Sequence, residues 1–463
     1  MRRIYLDNAA TTQPSPEVIK AMEEVNAKYW GNPSSIHTVG QEANTKLHEA
    51  REKVADFLNC DFQEVIFTGG GSESDNLAIR GIINAVIARN EMTKQSVPNR
   101  SPRFARDDKG EIPHVITSAA EHHAVLHTIQ ELEKEGRIEA TYLKPDKRGV
   151  ISPDSVKNAI KDNTVLVSIM YVNNETGVIN PIEEISGVIR QINKNKYVIP
   201  AKAGIQKIKL DPRVKPEDDK VSSKIFFHAD AVQAASYLPM DVEKLGVDLL
   251  TFTGHKIHGP KGVGVLYVKK GTPTKPEICG GAQEFGQRAG TENVASIAGL
   301  AEAIRQISPA VISTEAEKSH VRKDLSPLSP AAKGGFEMAR DDTARLRDKL
   351  VDGILKTIPD SILNGVRAPR APHIANISFL NAEGEAIILN LDFLGIAVSS
   401  GSACTSKSLE PSHVLSAMGI PAEKTHGAVR FSLSRYTKEE EIDKVIEVLP
   451  GIIEKLRKMS PFK

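Results

Sequence analysis

The feature that most constrains this chain is its alternation of short apolar runs with longer amphipathic stretches. The runs include Glu64-Val65-Ile66-Phe67-Thr68, Val115-Ile116-Thr117-Ser118, Val165-Leu166-Val167-Ser168-Ile169-Met170, Ile225-Phe226-Phe227-His228-Ala229-Asp230 and Leu249-Leu250-Thr251-Phe252-Thr253. Between them, helical periodicity covers residues 76–88, 123–135 and 182–192. Near-continuous apolar strands separated by helices imply an α/β fold with a mainly parallel sheet buried on both faces. From about Arg345 the texture changes to a smaller α+β unit ending in a helix over residues 438–458.

The expected organisation is therefore two domains. A large one spans 15–307, and a small one combines 1–14 with 340–463. Three stretches break the pattern, at about 90–113, 195–224 and 308–339, each rich in Pro, Lys, Arg and Ser. The first two fall at helix-to-strand connections, where added loop length costs only about 0.6 kcal/mol per doubling. Residues 198–204 and 211–217 resemble translated dispersed DNA repeats. All three are read as solvent-exposed insertions without catalytic role, the third linking the two domains.

Composition excludes several classes. A formal net charge of +1 offers no field for nucleic acid or an anionic membrane. Cys60, Cys279 and Cys404 are too few and too scattered for a disulfide framework or a zinc site, and fit a reducing compartment. No apolar stretch follows Arg2-Arg3, and no run is long enough to span a bilayer, so a cytoplasmic protein is expected.

Four stretches carry candidate chemistry. Gly69-Gly70-Gly71-Ser72-Glu73-Ser74-Asp75-Asn76 follows a strand and opens a helix, which suits an anion at free N–H groups. Ser72 with Asp75 also matches a capping box, so a plain tight turn is the competing reading. The stretch lacks both a P-loop ending and a dinucleotide fingerprint. Asp230 ends an apolar run, where ligands of open α/β sheets sit; it is either a helix cap or a partner for a protonated heterocycle. Lys256, in Thr253-Gly254-His255-Lys256-Ile257-His258-Gly259, also ends an apolar run, a poor place for a solvated charge. Burial there would suit a Schiff-base lysine. Cys404 lies in Ser399-Ser400-Gly401-Ser402-Ala403-Cys404-Thr405-Ser406, a small-residue loop that should expose its thiol. Cys60 and Cys279 read as structural.

In this order the motifs resemble the cysteine desulfurases of the aminotransferase class V family, nearest the branch serving nitrogenase and general iron–sulfur assembly. The matching stretches also include Tyr5-Leu6-Asp7-Asn8-Ala9-Ala10-Thr11-Thr12, Gly31-Asn32-Pro33-Ser34-Ser35, Glu121-His122-His123-Ala124-Val125, Val172-Asn173-Asn174-Glu175-Thr176-Gly177, Arg288-Ala289-Gly290-Thr291-Glu292-Asn293 and Val429-Arg430-Phe431-Ser432-Leu433-Ser434-Arg435.

The resemblance implies fold type I of the pyridoxal 5'-phosphate (PLP) enzymes, with a seven-stranded large-domain sheet. Lys256 would carry the cofactor, Asp230 would pair with its ring nitrogen, His122 would stack on the ring, and Gln233 would bond the ring oxygen. Gly71, Ser72, Thr253 and His255 would hold the phosphate, and Thr291 would reach the partner subunit's phosphate across a homodimer. Asn174 and Arg430 would orient L-cysteine, Arg430 as a fork for its carboxylate. Cys404 would take the sulfur as a persulfide, leaving alanine, and pass it to an iron–sulfur scaffold or another acceptor protein. The only metal contact implied is Cys404 as a passing cluster ligand. The chain departs from the family at Phe285, where Arg is frequent, and at Ala282, where His or Gly is frequent. The competing readings are selenocysteine lyase, another fold-type I enzyme such as an aminotransferase, and an inactive sulfur-assembly scaffold.

Overall fold

The computed structural model describes residues 3–95, 112–196, 224–308, 330–366, 368–401 and 411–459. Cys404 and most of the three pattern-breaking stretches lie outside these residues. So do the expectations that Cys404 is an exposed nucleophile and a passing cluster ligand.

The twelve strands found among the described residues are β1 (Ile4–Tyr5), β2 (Val65–Thr68), β3 (His114–Ser118), β4 (Glu139–Leu143), β5 (Thr164–Ser168) and β6 (Phe226–Asp230), then β7 (Leu249–Thr253), β8 (Gly264–Val268), β9 (Ser361–Leu363), β10 (Ile374–Phe379), β11 (Ile396–Ala397) and β12 (Ala428–Ser432). A seven-stranded sheet has the order β2-β8-β7-β6-β5-β3-β4. It is parallel except for β8, which runs against both β2 and β7.

Alternation along each strand divides the side chains between two cores. Val65, Phe67, Phe227, Leu250, Phe252 and Val265 pack on one face against the helices Pro16–Lys28, Thr38–Leu58, Ile182–Lys196 and Val294–Ile307. Ile66, Val115, Leu166, Phe226, Leu249 and Leu266 pack on the other against Gly71–Gln95 and His123–Lys134. With both faces covered, each large side chain contributes about 1.5–3 kcal/mol of burial. The parallel strands are apolar at nearly every position for this reason.

The C-terminal part has its own core around Leu6, Leu350, Ile377, Phe379, Ile387, Phe431 and Leu449. There β10 lies between β12 and β9, and β1 pairs with β11. The N-terminal strap joins the two parts. Asn8 N–H donates to Ser432 O at 3.2 Å, Thr12 N–H to His255 O at 2.8 Å, and Ser15 N–H to His258 O at 3.1 Å.

One expectation needs correction. The helix over 71–95 takes in Gly71, so Ser72 sits inside its first turn and does not cap it with Asp75. The Glu73 carboxylate instead accepts from Gly69 N–H at 2.9 Å. Asp75 is buried and turned toward His228, 3.6 Å away.

Candidate active site

Strands β3, β5, β6 and β7 end at the same edge of the sheet. Asp230, the last residue of β6, stands there, and the segments after β3, β5 and β7 bring His122, Asn174 and Lys256 to it. Lys256 Nζ reaches the strap and donates to Ala9 O at 2.5 Å and Ala10 O at 2.8 Å. Gln233 Nε2 donates to the same Ala9 carbonyl at 2.9 Å. Backbone carbonyls thus hold the amine on one side, while the charge of Lys256 bears on both Asp230 and His122.

The two neighbours respond in opposite senses. Burial pushes the Asp230 carboxyl up to about 6, opposed by the N–H of Val232, 2.9 Å from Oδ1, and by Lys256. Burial, then Lys256 and the histidines around it, lower His122 to about 4. His122 Nδ1 accepts from Ala124 N–H at 3.2 Å, capping the helix His123–Lys134. A neutral ring with Nδ1 as acceptor carries its proton on Nε2. Helix capping, the plain explanation, is therefore present for His122; Asp230 Oδ1 accepts from Val232 N–H in a turn and caps no helix among the described residues.

Beneath Asp230 lies a buried tier. His228 bonds Ser168 at 2.9 Å and Thr251 at 3.1 Å. The Asp75 and Glu121 carboxyls are pushed up mainly by burial, with the charge of Asp230 adding to it. Asp75 Oδ1 and Glu121 Oε2 have no hydrogen-bond partner.

On the other side, the Arg430 guanidinium is 2% exposed and bonds Asp7 Oδ1 at 2.9 Å and Asn174 O at 3.0 Å. Arg430 Nε and Asn174 Oδ1 are buried without partners. Such orphans cost about 1–3 kcal/mol each, which a ligand with matching groups recovers.

The sequence profile of the aminotransferase class-V family matches residues 4–96, 103–215, 219–326 and 328–445. The chain belongs to that family. Its breaks fall inside the three pattern-breaking stretches. A cysteine desulfurase IscS of Dictyoglomus turgidum is 42% identical over 462 residues, covering 100% of this chain and 97% of that protein. A second, from Methanosarcina thermophila, is 41% identical over 460 residues, with 99% and 94% covered. The solved structure of a NifS-like protein superposes with a TM-score of 0.76 at 30% identity, covering 98% of this chain and 100% of that one. Within the family this chain is a cysteine desulfurase, a class that uses PLP.

The residues of this desulfurase fit that cofactor. In the Gly-rich turn Gly70 leaves open backbone, since a Cβ there would meet nothing within 4 Å, while Gly264 lets the turn pack closely on β8, a Cβ there lying only 2.5 Å from Gly70 C. His255 bonds Thr11 Oγ1 at 3.2 Å and is held neutral by burial and by Lys256 and Lys261, its pKa lowered to about 4. Thr253 is buried and donates its hydroxyl proton to Val263 O at 2.8 Å, so in this arrangement its oxygen is turned toward other groups only as an acceptor. The Ser72 and Thr291 side chains are exposed. His373 lies 3.4 Å from Gln233 Oε1 and stacks on Tyr237.

Sequence reasoning missed the Ala9 and Ala10 carbonyls, the Asp75–His228–Glu121 tier, and Glu175. Only the polar His228 in the middle of the apolar run 225–230 could have signalled one of them. Cys60 packs against the core as expected, whereas Cys279 is exposed. Among the described residues, no cluster of His, Cys, Asp or Glu is arranged to hold a metal, and no helix is long and apolar enough to cross a membrane.

Proposed function

We propose that the strand-end pocket binds pyridoxal 5'-phosphate through Lys256, and that Cys404 takes the sulfur of L-cysteine as a persulfide. The observation that carries this reading is the convergence of an amine, a buried carboxyl and a neutral imidazole at one sheet edge. In it Lys256 would be the covalent attachment point, Asp230 would pair with the ring nitrogen, His122 would cover the ring, and Gln233 would serve the ring oxygen. The phosphate would lie at the Gly71 helix start with Ser72 and His255, and with Thr253 once its hydroxyl turns from the Val263 carbonyl. Thr291 serves the partner subunit's site in a homodimer.

PLP, when bound, supplies an electron sink for the substrate α-carbon. Lys256 Nζ takes the α-proton. Arg430, with its unpaired Nε–H, receives the substrate carboxylate, and Asn174 Oδ1 accepts from the substrate. His122, neutral with its proton on Nε2, moves protons at the ring face without adding charge there. Cys404 sulfur bonds to the substrate sulfur as the substrate carbon–sulfur bond breaks. That bond's electron pair stays with the carbon skeleton, which takes a proton and leaves as alanine. The net exchange, thiol plus cysteine to persulfide plus alanine, needs no external oxidant.

The division into domains 15–307 and 1–14 with 340–463 belongs to this proposal, as does a cytoplasmic setting. The persulfide would then serve an iron–sulfur scaffold or another acceptor protein. Alanine and sulfide production from cysteine tests the chemistry. Lys256→Ala is expected to lose the yellow cofactor absorption and turnover together. Cys404→Ala is expected to keep the colour and lose sulfur release, and sustained release would reject the persulfide step.

A further inference from the structure

Glu175 is buried, 1% exposed, in the turn after β5, and the contacts of its carboxyl are with residues of the C-terminal part. Its backbone is fixed on both sides. Asn173 Oδ1 accepts from Glu175 N–H at 3.0 Å, and Asn376 Nδ2 donates to Glu175 O at 3.2 Å. The neighbouring Asn174 carbonyl holds Arg430.

The carboxyl meets two residues that are distant from it in sequence and close to Cys404. Ser412 Oγ donates to Glu175 Oε2 at 2.5 Å. Gly401 lies against the same oxygen so closely that a Cβ there would be 2.5 Å from it. Upstream of Gly401 the chain is already registered: Ser399 exchanges backbone hydrogen bonds with Arg430, at 3.2 and 2.7 Å. Downstream, Ser412 caps the helix His413–Ala417, accepting from Leu415 N–H at 3.2 Å, and His413 Nε2 bonds Glu121 O at 2.9 Å. One oxygen thus touches the last described residue before the segment 402–410 and the second one after it.

We propose that Glu175 is a positioning residue for Cys404, clasping both ends of the cysteine-bearing segment so that it starts and finishes beside the substrate-binding Arg430. The inference rests on Cys404 being the sulfur acceptor. It assigns to Glu175 a role separate from cofactor binding. Holding Gly401 and Ser412 at one carboxyl fixes the two flanks of Cys404 relative to each other and to Arg430, which is the positioning a reaction with bound cysteine needs. It also explains the glycine at 401, since any side chain would enter the space of the Glu175 carboxyl.

The test uses the cofactor-loaded protein and follows two signals after cysteine is added: the change in cofactor absorption, and sulfur added to residue 404, located by mass spectrometry. Glu175→Ala should leave the cysteine-dependent absorption change and its half-saturation unaltered, yet slow persulfide formation at Cys404 by about a hundredfold, the scale of a small misplacement. Glu175→Gln, which keeps an oxygen for Ser412, should restore most of the rate. Gly401→Ala should slow the same step. A Glu175→Ala protein forming persulfide at the parent rate overturns the inference. So does one whose loss follows lost cofactor or a lowered melting temperature, or one that Gln fails to rescue. Cys404→Ala, run alongside, separates the two levels: sustained turnover there defeats the acceptor reading itself, whereas an inactive Cys404→Ala with a fast Glu175→Ala defeats the clasp alone.

Discussion

Asp230→Asn removes one buried negative charge and keeps a side-chain oxygen for the Val232 N–H, 2.9 Å away. In the protein without cofactor, burial raises this carboxyl from its usual 3.8 to about 6. At about 1.4 kcal/mol per unit, the ionised form costs the folded state roughly 3 kcal/mol. The sign follows from the raised value: the penalty is fully present above pH 6, shrinks as the pH falls below it, and vanishes below the unfolded value. The Asn variant should therefore be the more stable apoprotein by roughly 3 kcal/mol at about pH 8, and lose most of that advantage by about pH 4.5. Cofactor affinity should move the other way. Removing one member of a buried ion pair costs about 3–5 kcal/mol, so PLP should bind about two to three and a half decades more weakly. Urea unfolding of both apoproteins at the two pH values and a cofactor titration by absorbance provide the measurements. An Asn apoprotein less stable than the parent at alkaline pH, or a gain that does not shrink on acidification, would refute the reasoning.

Other perturbations probe separate parts of the account. Glu284→Ala strands the Arg51 guanidinium, which is 7% exposed and lies between the Phe67 and Phe285 rings, and should cost about 3–5 kcal/mol in chemical denaturation. Gly264→Ala would bring a Cβ to 2.5 Å from Gly70 C. The strain, about 1–3 kcal/mol, should appear as roughly tenfold weaker PLP binding in an absorbance titration. His122→Ala removes a helix cap worth about 1 kcal/mol, and should lower turnover by about 10²–10⁴ if His122 moves protons at the ring. Since His122 stays neutral down to about pH 4, an acid limb in the parent's rate near the ordinary histidine value that disappears in the variant would contradict its assignment.

Much of the architecture is legible in the sequence because burial on both faces leaves its mark residue by residue. The run Val115–Ser118 becomes His114–Ser118, and 123–135 becomes the helix His123–Lys134. The reversal of β8 is not legible, because an apolar run carries no direction; only its pairing with β2 and β7 fixes it. Asp230 and Lys256 stand out because charges at the ends of apolar runs are costly without a task. What holds Lys256 does not stand out. Its partners are backbone carbonyls 247 and 246 positions away, and a carbonyl is common to every residue type. Asp75 is a further lesson. Its spacing from Ser72 imitates a capping box, but tertiary contact with His228 overrides that local pattern. Glu175 escapes notice for the same reason as the carbonyls, since Gly401 and Ser412 meet it only in the folded chain.

The central claim, that Lys256 is the amine bound to PLP, is tested most directly by borohydride reduction of the yellow protein followed by peptide mapping. The account predicts a pyridoxyl group on Lys256 alone. Its appearance on Lys261 or any other lysine, with Lys256 unmodified, would contradict it.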